Sequence, residues 1–175
     1  MDWQILSAIQ EMQSPLADGL LSAITRLGDA GAIWILLAVV LLLIPKTRRC
    51  GIAMTLALLL VLLLGNCLLK PWIARLRPFM LNPDITLLIP PPTDGSFPSG
   101  HTYTGIAAAT VLWHHDKRLG IPAMILAVLI AFSRLYLQVH FPSDILGGIL
   151  LGLLCAEMSI LLVYKKKANA KGHSM

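Results

Sequence analysis

Three cations lie at the ends of apolar segments, where a charged side chain needs a partner. Lys70 ends one apolar run, Arg77 follows seven residues later, and Arg134 closes another run. Ionisable groups in such segments are costly and usually functional, and the simplest partner for three cations is an anion. The arginine guanidinium is a planar fork of donors that matches phosphate oxygens. These residues therefore predict a phosphate-binding site.

The stretch FPSGH opens a further apolar run and ends at His101. Ser99 suits the N-cap position of a helix, and Gly100 lets the backbone approach a ligand closely. The free N–H groups and the dipole at a helix start favour a phosphate placed there. A second histidine, His140, lies in VHFPSD, which opens the last apolar run. The sequence thus predicts a phosphate cradle built from several helix ends.

The amino-acid composition indicates which kind of secondary structure holds these phosphate-binding residues. Of the 175 residues, 57% are hydrophobic and only 13% are charged, which indicates a membrane protein and argues against a soluble domain. The apolar segments fall at 31–44, 51–69, 102–113, 120–137 and 145–164. We expect a single all-α membrane domain over residues 1–175, a polytopic helical bundle of five to six transmembrane helices.

The two ends of the chain have a different character. Residues 1–28 place apolar side chains at helical spacing with polar ones between them, which predicts an amphipathic N-terminal helix. That helix either lies on the membrane or forms a sixth span. No signal peptide is evident in it. Residues 165–175 form a basic tail that we expect to be cytoplasmic.

Basic residues also predict the orientation. Nine of the 14 lysines and arginines fall in two loops and the tail, which alternation of the spans places on one side: Lys46, Arg48, Arg49, Lys117, Arg118, Lys165, Lys166, Lys167 and Lys171. The positive-inside rule makes that side cytoplasmic. The phosphate cradle is then expected on the outer face of an inner or plasma membrane, periplasmic or extracellular.

Three motifs now carry a resemblance to a known family. Lys70 to Pro78 reads KxxxxxxRP, residues 98–101 read PSGH, and Ser133 to Asp144 reads SRxxxxxHxxxD. Together they resemble the signature of the type 2 phosphatidic acid phosphatase family, membrane relatives of the vanadium haloperoxidases. The resemblance covers residues 70–144 and lacks no motif position.

The resemblance implies a role for each motif residue. His140 is expected to be the nucleophile that forms a phosphohistidine, with Asp144 holding its imidazole. His101 is expected to act as general acid and then as base. The implied substrate-binding residues are Lys70, Arg77, Ser99, Gly100 and Arg134. The resemblance implies neither a metal nor another cofactor, and the scattered Asp84, Asp94 and Asp144 offer no carboxylate cluster for one.

The resemblance also narrows the substrate. This short chain is similar to bacterial enzymes that dephosphorylate undecaprenyl diphosphate, the favoured substrate, or phosphatidylglycerol phosphate, the second choice. The implied partners are a lipid phosphate and the membrane, with no nucleic acid, and the oligomeric state stays open. A lipid transporter or non-catalytic lipid binder with the same fold is the alternative from another class. Such a binder needs the cations but not both histidines.

Two further features lie beside the motifs. Arg75 falls between Lys70 and Arg77 but outside the motif, and we expect it to have a head-group or structural role. The loop at 79–97 is rich in proline, which argues against a helix, and we expect it to rest on the membrane surface and cover the site.

Overall fold

A computed structural model describes the backbone of residues 1–171 and the side chains of residues 1–164. Within residues 1–171 every regular element is a helix and there is no strand, as expected for an all-α fold. The helices are α1 (Asp2–Gln10), α2 (Pro15–Leu27), α3 (Ala32–Leu43), α4 (Arg48–Val61), α5 (Lys70–Ile73), α6 (Pro78–Leu81), α7 (Gly100–His115), α8 (Lys117–Tyr136) and α9 (Pro142–Lys171). The predicted basic tail, 165–175, lies outside the described side chains.

Three helical stretches are long and apolar enough to cross a membrane: Arg48–Leu81, Lys117–Tyr136 and Pro142–Tyr164. A fourth forms if α2 and α3, which meet at a 40° bend, count as one span. The predicted five to six spans exceed this count because α7 has only 16 residues and α3 only 12. A helix of 16 residues is about 24 Å long, shorter than the hydrocarbon core.

Helix α7 lies at the centre of the bundle and packs against α4, α8 and α9. Ala107, Ala108 and Ala109 have no exposed surface, so the helix is buried on several sides here. Small residues let helices approach closely where lipid provides no hydrophobic drive for association. On α9, a Cβ at Gly152 would lie 2.8 Å from the Tyr103 carbonyl oxygen. The close packing fixes the N-terminal end of α7, where His101 lies.

Helix α4 continues without a break into a π-helix, Leu62–Leu69, that ends just before Lys70. The Tyr103 hydroxyl donates a hydrogen bond to Asn66 in this segment. A Cβ at Gly65 would lie 2.6 Å from the Tyr103 ring, so the absence of a side chain lets α7 pack there. π-Helical turns often mark functional positions, and this one leads directly to Lys70.

The N-terminal segment is two helices, so the single amphipathic helix predicted for residues 1–28 is wrong. Pro15 has no N–H to continue a helix, and Ser14 caps the new one by accepting from the Ala17 N–H at 3.4 Å. Both helices pack against α8. The Tyr136 hydroxyl, at the end of α8, donates to Asp18 at 2.7 Å and fixes α2 there.

Candidate active site

The predicted cations and histidines meet in one cavity of about 700 Å³. Six of the predicted site residues line it: Lys70, Arg77, Gly100, His101, Arg134 and His140. They come from α5, α7, α8 and the two connections that precede α6 and α9, so only the folded bundle brings them together. Asp144 lies behind His140 and has no exposed surface.

Ser99 differs from the other predicted substrate-binding residues because it does not line the cavity. It occupies the N-cap position of α7, as predicted, but its hydroxyl caps no backbone N–H. The Ser99 Oγ instead accepts a hydrogen bond from Thr102 Oγ1 at 3.0 Å. Its backbone N–H donates to the Asp144 carbonyl at 3.1 Å, which ties the start of α7 to the start of α9.

His140 is 1% exposed and lies in the short connection between α8 and α9. Its Nδ1 is 3.4 Å from Asp144 Oδ2, and its Nε2 is 3.1 Å from Arg77 Nη1. Burial lowers the pKa of His140 and outweighs the hydrogen bond to Asp144, which raises it; Arg77 and Arg134 lower it further. The imidazole is therefore neutral at pH 7, as a nucleophile must be.

Asp144 accepts hydrogen bonds from three groups besides its contact with His140. Ser96 Oγ donates to Oδ2 at 2.5 Å, and the Phe141 N–H donates to the same oxygen at 2.8 Å. Arg75 Nη1 donates to Oδ1 at 2.6 Å. Arg75 Nη2 also donates to Asp2 at 3.0 Å, so α1 is bound into the network. This arrangement supports the structural role expected for Arg75.

Arg134 is 3% exposed, and its Nη1 donates to Thr25 Oγ1 at 2.7 Å. Its Nε is buried and has no hydrogen-bond partner in the part of the chain that the structure describes. A buried charged donor without a partner is costly. This incompletely paired guanidinium lines the cavity, and an anion bound there would offset part of the cost.

Lys70 and Arg77 share a carboxylate from the loop that precedes α7. Asp94 contacts Lys70 Nζ through Oδ2 and accepts from Arg77 Nη2 through Oδ1 at 2.7 Å. Burial raises the pKa of Asp94, but the contacts with Lys70 and Arg77 prevail and lower it to about 2. The carboxylate thus occupies donors that would bind a phosphate. Asp94 lies outside all three motifs, and the loop returns it to the two cations of the first motif.

His101 also pairs with a carboxylate, since its Nε2 is 3.0 Å from Asp29 Oδ1. Asp29 belongs to the turn between α2 and α3 and lines the same cavity. Four residues of the site lie outside the sequence motifs: Thr25, Asp29, Asp94 and Ser96. The sequence did carry one signal, which is that acidic residues are few: the chain has nine. Four of them contact basic or histidine side chains at this end of the bundle: Asp2, Asp29, Asp94 and Asp144.

The sequence profile of the PAP2 superfamily matches residues 50–168 and so covers all three motifs. The chain belongs to the PAP2 superfamily. This confirms the predicted resemblance and makes the protein a multi-pass membrane phosphatase. The PAP2 match begins at Cys50, so α1, α2 and the turn with Asp29 lie before it.

The relatives of this PAP2 chain include proteins from bacteria and archaea. An undecaprenyl-diphosphatase of Sulfolobus acidocaldarius is 34% identical over 158 residues, which are 90% of this chain and 76% of that one. The crystal structure of Aquifex aeolicus LpxE superposes with a TM-score of 0.81 at 31% identity and covers 91% of this chain and 94% of its own. A Bacillus subtilis phosphatidylglycerolphosphate phosphatase superposes with a TM-score of 0.75 at 32% identity, covering 90% and 82%.

Proposed function

We propose that this PAP2 phosphatase hydrolyses undecaprenyl diphosphate to undecaprenyl phosphate through a phosphohistidine on His140. One observation carries the proposal. A buried neutral histidine, oriented by the buried Asp144, lies in a cavity lined by Lys70, Arg77 and Arg134. A pure binding site needs the cations but has no use for an oriented nucleophile. The non-catalytic binder and the transporter are therefore disfavoured.

The reaction proceeds in two displacements. His140 Nε2 attacks phosphorus, the bond from phosphorus to the leaving oxygen breaks, and that oxygen takes a proton from His101. A water molecule then attacks the phosphohistidine while His101 accepts the water proton. The nitrogen–phosphorus bond breaks and inorganic phosphate leaves. His101 thus returns to its protonated state and His140 to its neutral one.

The cations stabilise charge on the three equatorial oxygens of the transferred phosphoryl group. Arg77 and Arg134 present fixed donors at the cavity wall, and Lys70 adds a point charge. Gly100 lines the cavity without a side chain. A Cβ at this position would lie 3.8 Å from Lys70 Nζ, in the space beside the cation. These cations take the part that divalent ions play in other phosphoryl-transfer sites.

A second, apolar cavity supports a lipid substrate. It has a volume of about 340 Å³ and lies between α3 and α4, lined by side chains such as Ile35, Val39 and Leu59. Ala30, Gly31, Leu62 and Thr104 line both this cavity and the catalytic one. The tail of a lipid phosphate fits the apolar cavity while the phosphate lies among the cations.

Two observations favour a diphosphate. The Sulfolobus relative is an undecaprenyl-diphosphatase by name. In addition, Arg26 lines the catalytic cavity as a fourth cation, beyond the three that bind the transferred phosphate. A second phosphate group gives this arginine a partner. The second candidate substrate is phosphatidylglycerol phosphate, favoured by the likeness to the Bacillus subtilis enzyme.

We also propose that the catalytic cavity faces the outer side of the membrane. The excess of lysine and arginine in the loops after α3 and α7 favours a cytoplasmic location for these loops. The catalytic cavity lies at the other ends of these helices, because Lys70 directly follows the continuous α4 and π-helical segment that Arg48 begins. The substrate is then a lipid phosphate of the outer leaflet.

Phosphate release by purified protein in detergent tests the proposal. The substrates are undecaprenyl diphosphate, undecaprenyl phosphate, phosphatidylglycerol phosphate and phosphatidic acid, each compared with the His140→Ala variant. We expect kcat/KM to be highest for the diphosphate and release to be absent in the variant. A higher kcat/KM for phosphatidylglycerol phosphate would make that lipid, rather than undecaprenyl diphosphate, the proposed substrate. Release from none of the four, or undiminished release by the variant, would overturn the enzyme proposal.

A further inference from the structure

The Asp29 carboxylate contacts the proposed general acid although no motif contains it. Its Oδ1 lies 3.0 Å from His101 Nε2, across a separation of 72 residues. We propose that Asp29 is a positioning residue that holds the His101 imidazole and stabilises its protonated form during turnover. The inference rests on the proposed phosphatase reaction and adds a second histidine–carboxylate pair to that of His140 and Asp144.

The backbone around Asp29 is shaped to make this contact. The turn Asp29–Gly31 has Ala30 at φ 51° and Gly31 at φ 69°, and the left-handed region is unfavourable for alanine. Such strain persists only where the surrounding structure enforces it, and it is concentrated at functional sites. A Cβ at Gly28 would lie 2.7 Å from His101 Cδ2, so the backbone before Asp29 lies directly against the imidazole ring.

The charges around His101 explain why a carboxylate is needed. Arg134 and Lys70 line the same cavity, and both disfavour a cationic imidazole. Among the described side chains, Asp29 is the one acidic group that contacts His101. A general acid must be protonated before the leaving oxygen departs. Asp29 supplies the negative charge that makes this protonation state accessible beside two cations.

The contact with Asp29 also indicates which ring nitrogen of His101 transfers the proton. The protonated imidazole has two N–H donors, and the one on Nε2 donates to Asp29. Nδ1 makes no hydrogen bond within the described side chains, so it carries the proton that passes to the leaving oxygen. After that transfer His101 is neutral and retains its Nε2 proton. In the second displacement Nδ1 takes the proton of the attacking water, and Asp29 remains ionised throughout.

Leaving-group dependence tests this role. The variants are Asp29→Asn, which keeps an acceptor oxygen but removes the charge, and Asp29→Glu, which keeps the charge. Turnover is measured on a lipid phosphomonoester, which leaves as an alkoxide and needs protonation, and on p-nitrophenyl phosphate, which does not. We expect Asp29→Asn to lower kcat for the lipid monoester about 10- to 100-fold, as for partial loss of general acid catalysis. KM should change little. For p-nitrophenyl phosphate, kcat/KM, which reports only the first displacement, should fall less than about threefold. Asp29→Glu should recover part of the loss.

Two controls separate this role from a structural one. Asp84→Asn removes an exposed acid of the loop before α7 that does not line the cavity, and its kinetics should be those of the wild type. Asp29→Asn placed in a His101→Ala background should cause no further loss, because its effect passes through His101.

The ratio between the two substrates is measured on one preparation, so a lower folded fraction cannot produce it. Equal losses for both leaving groups, a raised KM at unchanged kcat, or additive losses in the double variant would overturn the role of Asp29. Failure of the wild-type protein to release phosphate from any substrate would instead refute the proposed function itself.

Discussion

Arg77 Nη1 lies 3.1 Å from His140 Nε2, and this contact fixes the tautomer of the imidazole. Arginine is protonated at every physiological pH and can only donate, so Nε2 must be the acceptor. The ring proton is then on Nδ1, which faces Asp144 Oδ2 at 3.4 Å. The lone pair of the nucleophile thus points to the same guanidinium that we propose binds the phosphate. A single arginine orients both reactants.

The neutral state of His140 should persist in mildly acidic solution. Its lowered pKa means that the folded protein takes up this proton only well below the ordinary value of about 6.5. We expect ¹⁵N NMR of histidine-labelled protein to show His140 as the neutral Nδ1–H tautomer from pH 8 down to pH 5. His140→Gln identifies the signal by its absence. A His140 signal that titrates between pH 6 and 7 would contradict this interpretation.

Arg75 should matter for rate although it does not line the catalytic cavity. It donates to Asp144 at 2.6 Å and to Asp2 at 3.0 Å, and Asp144 is fully buried. Loss of a hydrogen bond to a charged group costs about 1.5–3 kcal/mol, so Arg75→Ala should lower kcat about 10- to 100-fold with little change in KM. Arg75→Lys should be intermediate, because lysine lacks the planar fork that binds two carboxylates. Arg49→Ala, an exposed arginine at the other end of the bundle, serves as the control, and a raised KM alone would refute the role.

Asp94 should compete with the substrate phosphate for Lys70 and Arg77. Asp94→Asn removes the competing charge, so inorganic phosphate and orthovanadate should inhibit the variant at concentrations several-fold lower than the wild type. Because the pKa of Asp94 is about 2, the carboxylate is ionised throughout assays between pH 5 and 9, and the difference should not vary with pH. Asp84→Asn from the same loop is the matched control. Weaker inhibition of Asp94→Asn would show that Asp94 instead positions the two cations.

Turnover should not depend on a divalent metal, since Lys70, Arg77 and Arg134 supply the positive charge. We expect activity in EDTA to stay within about twofold of the untreated protein, while orthovanadate, a mimic of the pentavalent transition state, inhibits strongly. The measurement is phosphate release from undecaprenyl diphosphate. Complete loss in EDTA that Mg²⁺ restores would argue against the proposed mechanism.

The proposed orientation can be tested in intact cells. A cysteine at the exposed Thr93, in a background lacking Cys50, Cys67 and Cys155, should react with an impermeant maleimide before lysis. A cysteine at the exposed Pro45, in the basic loop after α3, should react only after lysis. The reverse pattern would place the catalytic cavity on the cytoplasmic side.

The segments that form helices and the order of the motifs were predictable from the sequence, because both are local properties. Apolar runs indicate membrane helices, since every backbone group must find a partner within its own segment. The positions of Lys70, Arg77, His101 and Arg134 at the ends of these runs followed directly. The break at Pro15 was readable from the same local chemistry, and the amphipathic pattern of residues 1–28 concealed it.

The partners of the motif residues become visible only in the folded bundle. Asp29 reaches His101 across 72 residues and Asp2 reaches Arg75 across 73, and no periodicity along the chain encodes either pair. Asp94 returns to Lys70 because the proline-rich loop folds over the cavity. The residues that could carry the chemistry were recognisable from the chain alone, because side-chain type and spacing suffice for that. Packing of the helices decided which carboxylate faces which cation or histidine, because that depends on contacts between segments far apart in the chain.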